Sequence, residues 1–475
     1  MSRGLLKHCC SPLCLTSAAV LLWCALGVSC GQAEKKQNEK ELKLRAEARA
    51  SYESLRSDMQ LRTDAVREFA RSLSAEEKIA QLFLVNLEGK SVFRPIEYTA
   101  DGTPLIPGGY LFFSYNIADS VPEIMRFTES IAAFCRERNL PPPLLTIDQE
   151  GGVVNRLRAV TSPLPSAQLV ASRMPPSAAE ALYAAQARQL SALGFHINLA
   201  PVAEAAADTN RQFLGTRSFG DAAAVGTFAA AAVRGYESNG IGAVLKHFPG
   251  NTNDDPHSGL PEITLSAEAL ETHAIAVFRS LLRYEPAGVL MSHARTAAYD
   301  GGTPACLSPF WVTSMLRETL GYTGLIFSDD IFMAALERNG FPPDTAAVMA
   351  IEAGVDVIML SEKKFASAVT VLLQKAAADG EFAAKIDAAV VRILQAKIAA
   401  GVLELERTGG YRSAEAAGSA AAPGSAFDPA FDSAAYAVRI APAHEESRIA
   451  VRTAAFSTAF DDGSELYSAY FGGKK

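Results

Sequence analysis

Apolar residues in this chain gather into short, dense runs instead of strict alternation. From residue 74 onward eight such runs recur at intervals of roughly 30 to 50 residues. They are Leu82 to Asn86, Tyr110 to Ser114, Leu144 to Asp148, His196 to Pro201, Ala243 to His247, Gly288 to His293, Gly324 to Asp329 and Val355 to Ser361. Each is rich in Val, Ile, Leu or Phe, ends in a polar or special residue, and is separated from the next by amphipathic sequence. A strand buried on both faces reads as a near-continuous apolar run, so the pattern predicts a parallel sheet covered by helices. Eight such units over about 300 residues suit a closed sheet better than an open one, and the expected fold is α/β, a (β/α)8 barrel of the TIM type. Ser74 and Glu77 have capping-box spacing ahead of Ile79, Leu82 and Phe83, which places the start of ordered structure there.

The flanks are patterned differently. Arg3 and Lys7 precede an apolar run from about Leu13 to Val28, then small residues and Cys30, the order of an export signal over residues 1–30. Residues 31–73 are rich in Lys, Glu and Arg, with pairs such as Glu39 and Lys43 at helical spacing, and read as a charged helical spacer. At the other end an amphipathic stretch carrying Ile386, Val390, Ile393, Leu394 and Ile398 is followed, after Gly401, by Ala, Gly, Ser and Pro. Residues 403–475 are therefore expected to be a low-complexity linker and tail with no assigned role, leaving 74–402 as the barrel.

Composition narrows the function classes. Of 475 residues, 49% are hydrophobic and 20% charged, which excludes a disordered or coiled-coil chain. The net charge of −8 gives no reason to expect a nucleic-acid partner. Five of the seven cysteines (Cys9, Cys10, Cys14, Cys24, Cys30) lie in the signal-like segment, leaving Cys135 and Cys306, so no disulfide framework is expected. No motif asks for a cofactor.

Barrel chemistry belongs at the C-terminal strand ends, where Asp148, Lys246, His247, His293 and Asp329 fall. Asp148 can accept from neighbouring sugar hydroxyls and Arg156 can donate two hydrogen bonds from its planar fork, with Gly151 and Gly152 letting backbone approach a ligand. Asp148 capping the next helix and pairing with Arg156 is the alternative. His257, two residues after Asp255, has general acid/base character if the aspartate fixes one ring nitrogen; a solvated surface His is the alternative. His247, Asp254, Asp255 and His257 are also metal-ligand types, but their spacing matches no zinc signature and no metal is expected. Asp329, at the end of a buried strand, can attack an electrophilic carbon or merely cap a helix.

Together these segments resemble glycoside hydrolase family 3, in its single-barrel β-N-acetylhexosaminidase branch, over about residues 74 to 402. The resemblance rests on Asp148-Gln149-Glu150-Gly151-Gly152 with Arg156, on Leu193-Gly194-Phe195 through Asn198-Leu199-Ala200-Pro201-Val202, and on Arg217-Ser218-Phe219. It rests further on Lys246-His247-Phe248-Pro249-Gly250, Asp255-Pro256-His257 and Ser328-Asp329-Asp330. It implies that Asp329 is the nucleophile, that His257 with Asp255 is the acid/base dyad, and that Asp148, Arg156, Arg217, Lys246 and His247 hold a terminal N-acetylglucosamine. The β-glucosidase branch resembles Ser-Asp-Trp at the nucleophile, whereas Asp330 stands here. Gly250-Asn251-Thr252 replaces the family's Gly-His-Gly, and the loop up to His257 is shorter, which bears on the reach of that His. The alternatives are a β-glucosidase or a β-N-acetylglucosaminide phosphorylase on the same barrel, and a sugar-binding lipoprotein without turnover. Leu26-Gly27-Val28-Ser29-Cys30-Gly31 resembles a bacterial lipoprotein signal, which implies lipidation at Cys30 and a membrane-anchored location at the periplasm or outer surface; an ordinary signal peptide or an uncleaved anchor is the alternative.

Overall fold

The computed structural model describes residues 43–45, 47, 49–51, 56, 58–254, 259–407, 436–440 and 446–472. The signal-like segment with Cys30, much of the spacer, and residues 255–258 and 408–435 lie outside the described residues. Among the described residues no helix is long and apolar enough to cross a membrane.

The eight apolar runs are the eight strands of one parallel sheet. They are β1 (Phe83–Asn86), β2 (Gly109–Phe112), β3 (Leu144–Ile147), β4 (Ile197–Asn198), β5 (Gly242–Phe248), β6 (Gly288–Met291), β7 (Leu325–Phe327) and β8 (Ile358–Leu360). Each strand pairs with its sequence neighbour, and β1 pairs with β8. The seam between β7 and β8 is closed by a parallel bridge between Phe327 and Val357. There the Asp356 and Val357 amides both donate to the Ile326 carbonyl, at 2.9 and 3.1 Å, and the Ser328 amide donates to Val357 O at 2.9 Å. The Asp356 side chain, fully buried, accepts from the Ile326 amide at 2.8 Å and Arg392 Nε at 2.6 Å, and also pairs with Arg317. A sheet closed in this way exposes no unpaired edge.

Helices cover the outside. They include α1 (Ala75–Ala80), α2 (Val121–Glu137), α3 (Pro176–Leu193), α4 (Ala222–Glu237), α5 (Ala276–Leu282), α6 (Phe310–Thr319, of π type), α7 (Pro343–Ala353), α8 (Ala366–Ala378) and α9 (Gly380–Ala399). The capping box expected at Ser74 is present: Ser74 Oγ accepts from the Glu77 amide, and Glu77 Oε2 accepts from the Ser74 amide at 2.7 Å. Residues 87–108, between β1 and β2, contain no helix, so the barrel departs from strict strand-helix alternation at its first crossover. Strands β1, β2, β3 and β6 are buried along their whole length, as their continuous apolar sequence requires.

The expected tail is partly ordered structure. Leu403–Arg407 pairs antiparallel with Tyr436–Ile440, and a long helix, α10 (Glu446–Phe471), packs along α3. Phe456 and Ala459 are buried there, Gln189 Nε2 donates to Ala459 O at 3.2 Å, and Arg452 Nε donates to Ala192 O at 2.9 Å. At Gly463 a Cβ would meet Ser162 Oγ at 2.2 Å, so this contact needs a small residue. A seam of alanine and glycine buries area by close approach instead of by large side chains.

Beneath the barrel, Glu237 at the end of α4 holds the starts of two strands, its Oε1 accepting from the Ala243 amide at 2.8 Å and the Ala287 amide at 2.7 Å. Burial pushes this carboxyl up to about 7 despite those two donors. A raised carboxyl favours the protonated folded state, so its contribution is present below the unfolded value near 4.5 and is lost as pH rises through about 7. Glu237→Gln is expected to remove that loss, about 3 kcal/mol on this scale. Urea unfolding of both proteins at pH 5 and pH 8 checks this, and equal pH dependence would contradict it.

Candidate active site

The rim at the C-terminal ends of the strands is organised around one buried ammonium. Lys246, on β5, has a side chain only 4% exposed, and its Nζ lies 2.7 Å from Asp148 Oδ1 and 2.7 Å from Glu150 Oε1. Asp148 and Glu150 are two apart along extended backbone after β3 and so project to the same side. Gln149 between them bonds instead to Asn155 Oδ1 at 2.8 Å. Arg217 grips Glu150 with both arms of its fork, Nε to Oε2 at 2.8 Å and Nη2 to Oε1 at 2.9 Å. Arg156 completes the chain of alternating charges, its Nη2 lying 3.8 Å from Asp148 Oδ2, while its Nε is buried with no hydrogen-bond partner among the described residues.

Burial alone would push the Glu150 carboxyl up, but Lys246 and Arg217 hold it down at about 2. Burial likewise opposes the charge on Lys246, yet Asp148 and Glu150 raise its ammonium above the usual lysine value. Both groups are therefore ionised throughout the neutral range.

A second buried carboxylate, Glu204, fixes the neighbouring His247. Its Oε1 is 2.7 Å from His247 Nδ1 and 3.1 Å from Asn251 Nδ2, and its Oε2 accepts from the Asn251 amide at 2.7 Å. Burial would raise Glu204, and His247 and Asn251 reverse the direction and lower it. With Nδ1 engaged, the His247 tautomer and ring plane are set, which leaves Nε2 as the nitrogen for other partners.

Asp329 follows β7. Its Oδ1 accepts from the Asp330 amide at 2.8 Å, and its Oδ2 is 3.7 Å from His293 Nε2. The Cys306 thiol, kept protonated by burial, lies 3.3 Å from His293 Nδ1. His293 Nε2 lies 3.1 Å from Asp330 O, a carbonyl that can only accept, next to Asp329. Burial raises the Asp329 carboxyl, but His293, His247 and the Asp330 amide outweigh it, so the group sits below its ordinary value. It is an ionised carboxylate with 15% of its side chain exposed.

Two adjoining cavities of about 220 and 230 Å³ open here, and Asp148, Arg156, Arg217, His247, Asp329 and Met359 line both. Phe113, Phe213 and Met333 add apolar surface to one, and Lys246 and Glu150 lie in the other. A pocket with convergent donors and ionised carboxylates suits a polar, hydroxyl-bearing ligand.

The structure thus brings Asp148, Arg156, Arg217, Lys246, His247 and Asp329 together, whereas Asp255 and His257 lie outside the described residues. Asp254 is in the exposed loop, where its amide bonds to Thr252 Oγ1 at 3.1 Å. Gly151 and Gly152 make room for the chain itself. With φ of 96° and 56°, they admit the chain's own 164–166 segment, where a Cβ would meet Pro165 O at 2.3 Å and Ser166 Cβ at 2.7 Å. Sequence reading gave no role to Glu150, Glu204 or Cys306. The i, i+2 spacing of Asp148 and Glu150 was a usable signal for the first, but the other two act across strands.

Comparison with known proteins places these features in context. Residues 74–396 match the glycosyl hydrolase family 3 N terminal domain. A protein of Alkalilimnicola ehrlichii named beta-hexosaminidase is 35% identical over 262 residues, 53% of this chain and 73% of its own. Beta-hexosaminidase LpqI of Mycobacterium tuberculosis is 30% identical over 335 residues, 68% of this chain and 83% of its own. Among solved structures, M. tuberculosis LpqI superposes with a TM-score of 0.62 at 29% identity, covering 70% of this chain and 96% of that one. The beta-N-acetylhexosaminidase of Beutenbergia cavernae gives 0.59 at 27% identity, covering 69% and 99%.

Lys246→Met leaves Asp148 and Glu150 buried side by side without the ammonium between them. The variant is expected to lose about 3 kcal/mol of stability at pH 7. The loss shrinks toward pH 4.5, because carboxyls raised by mutual repulsion regain protons as pH falls. Urea midpoints at the two pH values check it.

Proposed function

Because this chain belongs to glycosyl hydrolase family 3, we propose that it is a retaining exo-β-N-acetylhexosaminidase that removes terminal β-linked N-acetylglucosamine. The observation that carries the reading is Asp329: an ionised carboxylate at a barrel strand end, facing cavities lined by Asp148, Arg156, Arg217 and His247, in a chain whose relatives are named beta-hexosaminidase.

In this reading Asp148, Arg156, Arg217, Lys246 and His247 hold the sugar hydroxyls. The carboxylate of Asp329 attacks the anomeric carbon as the bond to the leaving oxygen breaks, and His257 gives that oxygen its proton. A glycosyl ester on Asp329 results. His257, now neutral, takes a proton from water as the water attacks the anomeric carbon, and Asp329 departs as carboxylate, so configuration is retained. Asp255 orients the His257 ring, a role supported by the Asp-x-His spacing and the family resemblance.

Asp329→Ala is expected to lower kcat on an aryl β-N-acetylglucosaminide by roughly 10³-fold or more, with folding retained by circular dichroism. His257→Ala is expected to lose about 10²- to 10⁴-fold on a methyl glycoside and much less on a dinitrophenyl glycoside, whose leaving group needs no proton. Equal losses on both would argue against a proton-donating role. Product analysis in phosphate buffer distinguishes the reading from phosphorolysis, since hydrolysis yields free N-acetylglucosamine and phosphorolysis yields its 1-phosphate.

The protein is further proposed to be exported and held at a membrane by lipid on Cys30, a reading supported by the signal-like order of residues 1–30. Cys30→Ala is expected to move the enzyme from the membrane to the soluble fraction on cell fractionation, and unchanged partitioning would refute lipid anchoring at that residue.

A further inference from the structure

The loop that follows β5 is tied at two points to the chain that leaves β4. The first tie is Asn251, buried, which meets Glu204 through its amide at 2.7 Å and its Nδ2 at 3.1 Å. The second is Asn253. Its amide donates to Thr209 O at 2.7 Å and its Nδ2 donates to Asp208 O at 2.7 Å. Its Oδ1 accepts from the Gln212 amide at 2.9 Å and the Phe213 amide at 3.3 Å. Gln212 and Phe213 belong to the short helix Arg211–Leu214, whose own N-cap residue, Asn210, makes no side-chain cap. The Asn210 side chain is engaged just before the helix, accepting from the Ala207 amide at 2.8 Å and donating to Ala205 O at 3.0 Å. Amides in the first turn of a helix have no intrahelical acceptor, so Asn253 supplies the missing cap from a different loop.

What lies on either side of this cap gives it a consequence for the chemistry. Phe213 lines the cavity with Asp148, His247 and Asp329, and the Arg217 guanidinium stands 5.9 Å from the Phe213 ring centre. On the other side, His257 lies four positions along the chain from Asn253. We propose that Asn253 is a positioning residue for the reaction: it joins the segment that presents Phe213 and Arg217 to the loop that carries His257. The wall that holds the sugar and the group that protonates the leaving oxygen then keep one register. The proposal rests on the hexosaminidase reading above, with His257 as its acid/base. An asparagine suits the joint because its amide presents an acceptor and a donor at once, and both are used here. Asn251 is tied to the carboxylate that also holds His247, whereas Asn253 meets the 208–213 segment through backbone groups. Replacing Asn253 therefore loosens the joint without removing a partner from the charged site.

The test compares two substrates that differ in their need for a proton: methyl β-N-acetylglucosaminide and the dinitrophenyl glycoside. Asn253→Ala, in the full chain, is expected to lower kcat/KM on the methyl glycoside roughly 10²-fold, the size of a small misplacement of a catalytic group. On the dinitrophenyl glycoside the loss is expected to be about tenfold or less, because that leaving group needs no proton and feels only the displaced sugar wall. Asn253→Asp keeps an acceptor for the two helix amides and is expected to recover most of both losses. Equal losses on the two glycosides, or none, overturn the coupling, and an Asp variant as impaired as the Ala variant overturns the cap as its cause. Hydrogen exchange at the Gln212 and Phe213 amides reads the joint without turnover. Faster exchange in Asn253→Ala supports it, and equal exchange overturns it. If the native enzyme turns over neither glycoside, the function reading fails by itself, and the exchange measurement still decides the joint.

Discussion

The position of one ammonium governs the architecture of this site. Lys246 Nζ is almost completely removed from water, and a lone buried cation at that depth would give up its proton or unfold the surrounding structure. It is tolerated because Asp148 and Glu150 stand 2.7 Å away on two sides. Those carboxylates in turn need Arg217 and Arg156, so the strand ends of β3 and β5 and the loop after β4 are locked into one alternating chain of charge. Closure of the barrel is what delivers these groups to the same few ångströms.

Within that frame the carboxylates divide by partner. Asp148 and Glu150 face ammonium and guanidinium groups, and Glu204 is spent on His247 and Asn251. Asp329 differs: among the described residues its hydrogen-bond and close ionic partners are a backbone amide and the His293 imidazole. It keeps its charge without being neutralised by a fixed cation, the condition a carboxylate nucleophile requires. His293 is itself held by the Cys306 thiol, so a cysteine serves here as a buried hydrogen-bond partner.

The C-terminal helix α10 extends the barrel's outer layer beyond the span that matches the family. It docks on α3 through Phe456, Ala459, Arg452 and Gly463, combining one large apolar residue with a close approach of small ones. Its amphipathic pattern is diluted by Ala, Ser and Gly, so no run of large hydrophobic residues marks it as structure.

All eight strands were legible in the sequence, because a strand buried on both faces is apolar at most of its positions, and that requirement leaves a mark within a few residues. The capping box at Ser74 and the placement of Asp148, Lys246, His247 and Asp329 at strand ends were legible for the same reason, since each follows from local order. The helix missing between β1 and β2 and the docking of α10 were not, because both depend on what the rest of the molecule leaves to be covered. The sequence by itself determined the strands, their parallel closure and the family, through motifs whose spacing is local. Only the tertiary structure decided which cation meets which carboxylate. The pairing of Lys246 with Asp148 spans 98 residues and that of His247 with Glu204 spans 43. Electrostatic partners over such separations are chosen by strand order and closure, and no local pattern records them.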